Sequence, residues 1–558
     1  MPTSNNVSIT PLGGLGEIGL NCQLWECDGN VVMIDCGLMF PDDAHLGVDV
    51  LIPHFGAVNA VKDSLCGIIL THAHEDHIGA LPWLIPNLKG INIYGSRFTL
   101  ALVEHKLKEH HVLDYVNLCP INENTKLKLG KFTFNFFPVC HSIPEGFALA
   151  IETPIGKIIH SGDFKIDPAP LSGSGTNLKQ FSDFAHDGGI RLLLSDSTNI
   201  MRDGHSLSER EVKDSLANIF AEASGRIIIT LFSSHIQRIQ EVFDLSDIHN
   251  RSVIISGKSL ATNIEIAKDL GFIKLPSSFY NAYNGVPTLE DDKVVLIVTG
   301  AQGEPLSALS RMVFGNHKQL NIKNGDTILM SSRMIPGNAK AISRLINKMY
   351  HLGAEVIYES VHAIHASGHA HKDELKSMIQ ATNPQLFVPI HGEYRHLVKH
   401  ARLANECGIK EDNIILLTNG QPLTIDKNSY HLGSPISVEY TIVDGKGVGD
   451  IGAAVLKERH ILGDEGIVIV SIVMDEYTGH VLSGPDIISK GFIFEENYSH
   501  LLEDAKCLVI DEIEKINING QFSKIQDNIR SSLRSFFKKI LERDPLIIPI
   551  ITYLKDNM

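Results

Sequence analysis

Residues 72–77 concentrate side chains that bind metal ions. They carry three histidines and two carboxylates, in the run His72-Ala73-His74-Glu75-Asp76-His77. Neutral imidazole and carboxylate groups suit Zn²⁺ or Mn²⁺, and no thiolate is needed. His72 and His74 flank Ala73 and can turn toward one metal ion, while Asp76 and His77 can reach a second. A solvated loop that is merely rich in histidine is the alternative, and the density of ligands argues against it.

The surrounding pattern predicts that this run lies on a loop between a strand and a helix. Residues 66–70 are an apolar run typical of a buried strand, and the proline-broken segment 78–88 is typical of a helix start. A loop of this kind is held by the rigid elements on either side, so it can present side chains in fixed positions.

Four further potential ligands follow apolar segments in the same way. Each lies at or near the end of a predicted strand, and they are His141, Asp163, Asp196 and His391. Any one of them alone is more often a turn residue whose side chain bonds to nearby backbone. The repetition of one pattern is hard to explain in that way.

Three glycines near the N-terminus match the spacing G-x-G-x-x-G: Gly14, Gly16 and Gly19. A dinucleotide-binding fingerprint must open a helix, yet the sequence after Gly19 continues as a strand. We therefore predict a close-packed turn near the floor of the site. Asp35 ends a strand in the same region and is expected to buttress the site.

The composition of the 558 residues fits a globular α/β enzyme, with 43% hydrophobic residues and 46 glycines. A net charge of −16 is unusual for a nucleic-acid-binding protein, although a local basic groove can exist on an acidic body. The eight cysteines form no CxxC pair, and no run approaches the about 18 apolar residues of a membrane span. We expect reduced thiols, no secretory signal, no membrane association and a cytoplasmic location.

Residues 206–356 alternate predicted strands and helices with a rhythm of their own. The strands are expected at 226–231, 252–256, 294–299 and 326–330, with helical stretches such as 209–223 and 335–352 between them. This pattern predicts a small parallel-sheet domain inserted into the first domain. Its strand ends, including Ser233-Ser234-His235, suit an anion site, and helix N-caps explain them equally well.

The segment 361–371 carries four histidines. Ser367 and Gly368, directly before a predicted helix, could cradle a phosphate through backbone N–H groups. His369 could donate a proton there. The other histidines of the segment are expected on the surface or in packing, and they are His362, His365 and His371.

The C-terminal region lacks a cluster of metal ligands. After a polar connector that extends to about residue 447, we predict strands at 452–456 and 466–474 and helices at 498–516 and 526–542. Oligomerisation or partner binding is the expected role of this region.

Taken together, the motifs resemble those of the metallo-β-lactamase superfamily: His-x-His-x-Asp-His, then a lone His, then a lone Asp. The late His391 after a long insert narrows the resemblance to the β-CASP branch, whose three defining motifs match Asp196, His369 and His391. Within that branch the chain resembles the bacterial ribonuclease J family from about residue 7 to residue 553. The resembling stretches include 11–19, 37–41, 71–82, 389–397 and 483–489.

The resemblance implies an α/β fold: a metallo-β-lactamase αββα sandwich with an inserted β-CASP α/β domain and a small α/β C-terminal domain. The expected boundaries are 1–205 and 357–430 for the two parts of the metallo-β-lactamase domain, 206–356 for the β-CASP domain, 431–447 for a linker and 448–558 for the C-terminal domain. It also implies a homodimer or homotetramer formed through the C-terminal domain.

The resemblance further implies two metal sites that share a bridging carboxylate. The ligands would be His72, His74 and His141 for one ion, Asp76, His77 and His391 for the other, and Asp163 between them. Two Zn²⁺, or alternatively Mn²⁺, roughly 3.5–4 Å apart could generate a hydroxide and clamp both oxygens of a phosphodiester displacement. His369, held by Asp196, would donate the proton to the leaving 3′-oxygen.

The activity implied is that of a ribonuclease that degrades RNA 5′-to-3′ from a monophosphorylated end and also cuts internally. It would act in mRNA decay and rRNA maturation, with other RNA-decay proteins as partners. Its 5′-phosphate pocket would use Ser367, Gly368, His369 and Ala370 together with Ser233, Ser234 and His235. The chain departs from the family at His235-x-Gln237, where Asn-x-His is common, so the insert's share of the pocket is open.

Three other functions share parts of this pattern. A metal-dependent hydrolase of small esters or thioesters would not need the insert or the later motifs. A catalytically silent subunit that binds RNA or a sister nuclease would be expected to have lost ligands, and none is missing. A DNA-repair nuclease of the same branch shares the site, and the resemblance of the C-terminal region disfavours it.

Overall fold

The computed structural model describes residues 6–171, 175–333, 338–358, 363–493, 499–519 and 524–554. The chain divides into two compact units. The first comprises residues up to Phe40 together with Val50–Thr441, and the second comprises Pro41–Asp49 together with the residues from Ile442 onward. None of the helices within the described residues is both long enough and apolar enough to cross a bilayer.

The first unit begins with a region rich in strands. Its strands are β1 (Val7–Gly13), β2 (Leu15–Gly16), β3 (Cys22–Cys27), β4 (Asn30–Ile34), β5 (Val50–Pro53), β6 (Leu65–Ile69), β7 (Ile91–Gly95), β8 (Val116–Pro120), β9 (Lys126–Leu129), β10 (Phe132–Val139), β11 (Gly146–Thr153), β12 (Gly156–His160) and β13 (Ile190–Asp196). Its α-helices are α1 (Gly56–Ala60), α2 (Glu75–Ile78), α3 (Leu81–Leu84), α4 (Arg97–Glu109) and α5 (Leu178–His186). Short 3-10 helices lie at Lys62–Ser64, Ile85–Asn87 and Leu113–Tyr115.

The insert follows with a sheet of its own. Its strands are β14 (Ile227–Thr230), β15 (Ser252–Ser256), β16 (Phe279–Asn281), β17 (Val294–Val298), β18 (Thr327–Met330) and β19 (Glu355–Tyr358). Its α-helices are α6 (Glu209–Glu222), α7 (Ile236–Ile248), α8 (Lys258–Asp269), α9 (Ala308–Val313) and α10 (Ala339–His351), with 3-10 helices at Ala282–Asn284 and Asp291–Lys293. All neighbouring strands are parallel, in the order β16-β15-β17-β14-β18-β19, so the predicted parallel-sheet insert is confirmed.

After the insert the chain returns to the first sheets. The returning elements are α11 (Lys372–Thr382), β20 (Leu386–Ile390), β21 (Gly392–Glu393), α12 (Tyr394–Glu406), a 3-10 helix at Glu411–Asn413, β22 (Leu423–Ile425) and β23 (Tyr430–Leu432). They complete an eight-stranded sheet, β23-β22-β1-β3-β4-β6-β7-β8, and a six-stranded sheet, β20-β13-β12-β11-β10-β9.

The eight-stranded and six-stranded sheets pack face to face. Apolar side chains from both, such as Trp25 and Ile69 from one and Phe134 and Leu192 from the other, share one buried core. Alternate residues of β10 reach this core because successive side chains of a strand point to opposite faces. The outer face of the six-stranded sheet is covered by α5, α11 and α12, and α4 packs against β7 and β8 of the other sheet. The layers are therefore helix, sheet, sheet, helix.

The segment expected to be a linker, 431–447, contains strands. It includes the end of β23 and two antiparallel strands, β24 (Tyr440–Asp444) and β25 (Gly447–Val448). The connector is polar in composition, but Tyr440, Ile442 and Val443 are residues that favour extended backbone, and the prediction gave them too little weight.

The second unit is a three-stranded sheet with helices. It comprises α13 (Ala453–Glu465), β26 (Ile467–Asp475), β27 (Val481–Lys490), α14 (Ser499–Asn519), α15 (Ile525–Leu541) and β28 (Leu546–Leu554). The strand order is β27-β26-β28, and one face of β26 shares a core with α14 and α15. The strand predicted at 452–456 is wrong: the segment starts α13, and its two leading alanines are strong helix formers.

Candidate metal centre

Three parallel strands bring three of the distant candidate ligands together. β12, β13 and β20 are parallel neighbours, with Asp196 of β13 opposite Ile390 of β20. Asp163 follows β12, Asp196 is the last residue of β13, and His391 follows β20. Their side chains meet because the carboxyl ends of parallel strands lie at the same edge of a sheet.

The first part of the histidine-rich run lies on the predicted loop, and the helix begins at Glu75, three residues earlier than predicted. His72 and His74 lie between β6 and α2, and Asp76 and His77 lie within α2. His141 comes directly after β10 in the other sheet. Both sheets of the sandwich therefore contribute to one edge.

The structure gathers all seven residues predicted as metal ligands. Within each group below, one ligand atom from every member lies within 4.8 Å of the others. The groups are His72, His74, His141 and Asp163; Asp76, His77, Asp163 and His391; and Asp163, Asp196, His369 and His391. Asp163 belongs to every group and occupies the central position.

The spacing of the first group fits a single metal ion. His74 Nδ1 lies 3.1 Å from His72 Nε2 and 3.0 Å from His141 Nε2. Asp163 Oδ2 lies 3.6 Å from His72 Nε2 and 3.8 Å from His141 Nε2. Ligand atoms about 2.0–2.1 Å from a shared tetrahedral ion are about 3.3 Å apart. These four atoms therefore need only small shifts to bind one ion.

The ligand atoms of the second group lie as close to one another as those of the first group. His77 Nε2 lies 3.2 Å from Asp163 Oδ2 and 3.6 Å from Asp76 Oδ2, and His391 Nε2 lies 3.3 Å from that same Asp76 oxygen. Asp163 Oδ2 and His391 Nε2 are buried without a hydrogen-bond partner among the described residues. Buried polar atoms without a partner are costly, and a bound cation would satisfy both.

Two oxygen atoms behind the cluster orient its histidines. The Asp35 carboxylate accepts a hydrogen bond from His77 Nδ1 at 2.7 Å and two from Thr71, from the backbone N–H and the hydroxyl, each at 2.8 Å. His141 Nδ1 donates to the Gly368 carbonyl at 2.6 Å. Such bonds fix the ring so that Nε2 faces the metal position. Asp35 thus buttresses the site as expected, and it holds a left-handed φ of 58° to do so.

The protonation states of the two groups differ. Burial lowers the pKa of the His72 and His141 imidazoles, and that of His74 to about 4, which keeps these rings neutral as metal ligation requires. Burial acts in the same direction on His391, but the nearby carboxylates, chiefly Asp163, outweigh it and raise the pKa of His391 to about 10. A bound cation would supply positive charge next to these carboxylates in place of the proton on His391.

The glycine-rich turn lies under the second group. β2 pairs with β21 in parallel, with Leu15 opposite Gly392, the residue after His391. Gly14 and Gly16 have φ values of 87° and 83°, a region that favours glycine. The chain then enters strand β3 rather than a helix, so the interpretation as a close-packed turn at the site floor is confirmed.

His369 forms a pair with Asp196 beside the candidate ligands. Its Nδ1 donates to Asp196 Oδ2 at 2.8 Å, and the other carboxylate oxygen accepts from the Thr198 N–H at 2.9 Å and hydroxyl at 2.7 Å. Burial lowers the pKa of His369, but the charge and hydrogen bond of Asp196 outweigh it and raise that pKa. The pair therefore favours an imidazolium with Nε2 left to act.

Two residues that the sequence patterns did not identify complete this side of the site. The Asn199 amide donates to Ser367 Oγ at 2.7 Å and to the His369 carbonyl at 3.1 Å. Arg333, at the carboxyl end of β18, donates to the Asn199 amide oxygen. Asn199 follows Asp196 by only three residues, which could have drawn attention to it, but Arg333 has no sequence signal beyond its strand-end position.

The residues predicted for a phosphate pocket divide into two sets. Ser367, Ser233 and Ser234 are half-buried and lie on loops. Ala370 is buried, and its N–H donates to the Phe164 carbonyl at 2.6 Å. His235 is 1% exposed, and its Nδ1 accepts the Arg238 N–H. Ala370 and His235 are thus engaged in the fold, and the geometry argues against either as a phosphate ligand.

Two further histidines of the segment 361–371 take part in packing or helix capping. His365 is buried, and His371 immediately precedes α11 as its N-cap. Both observations agree with packing roles. His362 lies outside the described residues.

A buried network of charges joins the insert to the segment that carries His369. Arg238 is fully buried and donates to the Ile364 carbonyl and to Ser331 Oγ, each at 2.8 Å. Its guanidinium also pairs with Glu209 and with Glu241. Lys165, after β12, pairs with Glu209 at 3.2 Å. The insert is therefore tied to both the metal centre's strands and the loop before Ser367.

Four family models match successive parts of the chain. They are a beta-lactamase superfamily domain at residues 31–191, a ribonuclease J beta-CASP domain at 224–349, a Zn-dependent metallo-hydrolase RNA specificity domain at 353–415 and a ribonuclease J C-terminal domain at 454–554. The beta-CASP model covers β14 to β18 of the insert's sheet, and the C-terminal model covers the sheet β27-β26-β28.

Relatives match along nearly the whole length. The chain is 36% identical over 549 residues to "Ribonuclease J 1" of Streptococcus pyogenes, which covers 98% of each chain. The chain belongs to the bacterial ribonuclease J family. It is also similar to ribonuclease J of Thermus thermophilus, at 35% identity over 558 residues and 98% and 95% coverage, and to "Ribonuclease J2" of Bacillus subtilis, at 34% over 552 residues and 98% and 99% coverage.

Family membership makes the chain a metal-dependent ribonuclease and confirms the expected fold class: a metallo-β-lactamase sandwich, a β-CASP insert and a ribonuclease J C-terminal domain. A solved structure titled as a protein of unknown function from Enterococcus faecalis superposes with a TM-score of 0.52 at 16% identity. It covers 75% of this chain and 100% of its own length, and it supports the fold alone.

Proposed function

We propose that this ribonuclease J family member degrades RNA 5′-to-3′ from a monophosphorylated end, also cuts RNA internally, and acts in mRNA decay and rRNA maturation. One observation carries the proposal. Two groups of His and Asp ligands share Asp163, and the His369–Asp196 pair lies directly beside them. A phosphodiester needs charge stabilisation on one side and a proton donor on the other, and this arrangement offers both.

The proposed cofactor is a pair of Zn²⁺ ions, and Mn²⁺ suits the same donors. The holding residues would be His72, His74 and His141 for one ion, Asp76, His77 and His391 for the other, and Asp163 for both. Such a pair, when bound, lowers the pKa of an attacking water and neutralises charge that develops on the phosphodiester. The protein's own part is to fix these side chains in advance, through Asp35 and the Gly368 carbonyl.

His369 is the proposed proton donor. Its Nδ1 is engaged by Asp196, so Nε2 carries the proton that would go to the leaving 3′-oxygen. The charge and hydrogen bond of Asp196 raise the pKa of His369, which favours the protonated ring that a proton donor needs. Asp196 itself accepts two hydrogen bonds from Thr198, so the carboxylate is held in place while the ring acts.

A 5′-phosphate pocket is proposed around Ser367. Its hydroxyl oxygen accepts from the Asn199 amide and from the His369 N–H, so its own proton is left to donate to a phosphate. Arg333, bonded to Asn199, would bring positive charge from the insert. Gly368, Ser233 and Ser234 remain proposed contributors, whereas Ala370 and His235 do not.

The first test uses a 5′-end-labelled RNA with a monophosphate, beside the same RNA with a triphosphate. The protein is assayed with Zn²⁺ or Mn²⁺ against the variant Asp76→Ala, His77→Ala. Release of labelled mononucleotide from the monophosphate only, lost in the variant, would support the proposal. Internal fragments from both RNAs would leave a nuclease without end recognition.

The same assay separates the competing functions. Equal cleavage of a DNA strand of the same sequence would favour a DNA-processing nuclease of the branch. Hydrolysis of a small ester without RNA cleavage would favour a small-ester hydrolase. No turnover in metal-loaded protein would favour a silent partner subunit.

The remaining proposals rest on the family resemblance. They are the domain boundaries given above, a homodimer or homotetramer formed through the C-terminal domain, association with other RNA-decay proteins, and a cytoplasmic location. Sedimentation velocity of the full chain and of a chain shortened at residue 447 tests the proposed oligomer. The shortened chain should sediment as a monomer, and an unchanged oligomer would contradict assembly through the C-terminal domain.

A further inference from the structure

One helix of the insert carries a basic face that takes no part in the metal centre. The exposed side of α10 presents cationic or titratable side chains at intervals of four, four and three residues, which places them on one face of the helix. They are Lys340, Arg344, Lys348 and His351, here called the basic stripe. The opposite side of α10 is apolar and packs into the core of the insert.

The stripe contrasts with the rest of the chain. The chain has 65 acidic against 49 basic residues, yet α10 has no Asp or Glu. Among the described residues, no carboxylate forms an ion pair with Lys340, Arg344 or Lys348. Cations on an acidic protein are usually neutralised by neighbours, so an unneutralised row points to a ligand that supplies the negative charge.

The stripe lines an open groove. The groove has a volume of about 840 Å³ and is bounded by Phe314, at the end of α9, and seven residues of α10, none of them acidic. Phe314 is 44% exposed, and the Arg344 guanidinium lies over its ring, 5.5 Å from the centroid. An exposed aromatic ring beside a row of cations is the combination used to bind single-stranded nucleic acid, because bases stack on the ring while phosphates meet the cations.

We propose that this groove binds single-stranded RNA outside the metal centre, with phosphates along the basic stripe and a base against Phe314. From Lys340 to His351 the stripe runs about 16 Å, enough for several phosphates of one strand. Asn338, the N-cap of α10, donates to Gln302 at 3.5 Å, and Gln302 donates to the Arg333 carbonyl at 2.7 Å. Since Arg333 bonds to Asn199, hydrogen bonds link the Lys340 end of the stripe to the site. The groove would therefore hold part of the same RNA whose end lies at the metal centre. The inference rests on the proposed ribonuclease activity and adds to it a second contact with substrate.

RNA fits the groove better than an acidic protein surface. RNA carries one negative charge on the phosphate of each nucleotide, and this regular spacing suits cations repeated along one helix face. The ring of Phe314 offers a stacking surface that a folded acidic protein would not need. An acidic protein partner is retained as an outcome of the test.

The test reverses the charge of the basic stripe and compares this variant with a matched control. The variant Lys340→Glu, Arg344→Glu, Lys348→Glu is compared with Arg210→Glu, Lys268→Glu, Lys274→Glu, which makes the same change in net charge at exposed positions of the insert outside the groove. Binding of a fluorescent RNA of about 30 nucleotides, and of one of about 5 nucleotides, is measured by anisotropy at several salt concentrations in an Asp76→Ala, His77→Ala background. Circular dichroism checks that both triple variants are folded.

The expected result has two parts. The stripe variant should lose about tenfold or more in affinity for the long RNA, and its plot of log K against log salt should be shallower by about 2, or about 0.7 for each lost phosphate contact. The short RNA should bind as before. A Phe314→Ala variant should weaken binding of the long RNA without changing the salt slope, because a ring carries no charge.

Equal RNA affinities and equal salt slopes for the stripe and control variants would overturn the proposal. An acidic protein surface would then be the alternative ligand of the groove. Cleavage assays distinguish a failure of the groove proposal from a failure of the proposed ribonuclease activity. Wild-type protein that cleaves no RNA would defeat the proposed function itself. Wild-type protein that cleaves RNA while the stripe variant loses no kcat/KM on the long substrate would defeat only the groove.

Discussion

The Nδ1 atom of His369 lies 2.8 Å from Oδ2 of Asp196, and this hydrogen bond joins the loop before α11 to the end of β13. The two residues are far apart in sequence, and a second bond, from the Asn199 amide to the His369 carbonyl at 3.1 Å, supports the same contact. The bond determines which ring nitrogen is left to act and how strongly it holds its proton. It gives the His369–Asp196 pair a testable catalytic role.

Replacing His369 with alanine should lower kcat on RNA by about 10²- to 10⁴-fold, the usual contribution of general acid catalysis. Asp196→Asn should lower it too and should move the alkaline limb of the pH–rate profile to lower pH. The reason is that Asp196 raises the pKa of His369, so removing the charge lets the ring lose its proton earlier. Both variants should keep the wild-type metal content, and an unchanged alkaline limb in Asp196→Asn would contradict the role of the pair.

Asp163→Asn should remove more metal than any other single substitution in the site. Asp163 belongs to both ligand groups, and its Oδ2 lies within 3.2–3.8 Å of the Nε2 atoms of His72, His77 and His141. An amide oxygen is a weaker ligand without charge. Inductively coupled plasma mass spectrometry should find fewer than half the wild-type ions per chain. His74→Ala is the comparison, because His74 belongs to one group only. Equal losses in the two variants would argue against a bridging Asp163.

Gly368→Ala should reduce activity although the change adds a single methyl group. A Cβ at this position would lie 2.6 Å from Cε1 and Nδ1 of His141, closer than atoms of real side chains approach. His141 would have to move, and its bond to the Gly368 carbonyl would be disturbed. We expect about a 10- to 100-fold loss of metal affinity or activity, the usual effect of disturbing a residue that orients a ligand. Gly452→Ala is the control, because a Cβ at Gly452 meets nothing within 4 Å and the backbone φ there is negative.

Arg333→Gln should weaken the preference for a 5′-monophosphate end more than it weakens cleavage itself. The guanidinium is bonded to Asn199, whose amide holds Ser367, so charge and positioning are both lost. We expect the ratio of kcat/KM for monophosphorylated against 5′-hydroxyl RNA to fall about tenfold, the equivalent of one charge-assisted hydrogen bond. Arg210→Gln, on the exposed surface of α6, is the matched control. An unchanged ratio would remove Arg333 from the pocket.

Glu241→Gln should change how stability depends on pH. Burial raises the pKa of Glu241 from 4.5 to about 7, although Arg238 opposes it. Below about pH 4 both folded and unfolded chains carry this proton, and as pH rises toward 7 only the folded chain retains it at a cost to stability. Relative to the variant, the wild type should therefore lose up to about 3 kcal/mol of unfolding free energy between pH 5 and pH 8. Denaturant unfolding at both pH values measures it, and parallel stability curves would contradict the prediction.

The residue types of the metal centre were predictable from sequence because they follow local rules. The run from His72 to His77 places its ligands within one loop, and strand ends are visible from the change between apolar and polar residues. The parallel sheet of the insert was visible for the same reason, from repeated apolar runs separated by helices. The wrong strand at 452–456 and the missed strands of the expected linker lie where short apolar runs fit helix and strand equally well.

Taken alone, the sequence determined the set of candidate ligands, the fold class and the order of the domains. The way in which the candidate ligands come together is decided only by the tertiary structure, because Asp163, Asp196 and His391 are brought to one edge by pairing between strands β12, β13 and β20. The features that were not predicted, the bond of Asn199 with Arg333 and the position of the basic stripe beside Phe314, depend on contacts between separate elements of the chain. Such contacts are fixed by the packing of whole sheets and helices, which local spacing does not record.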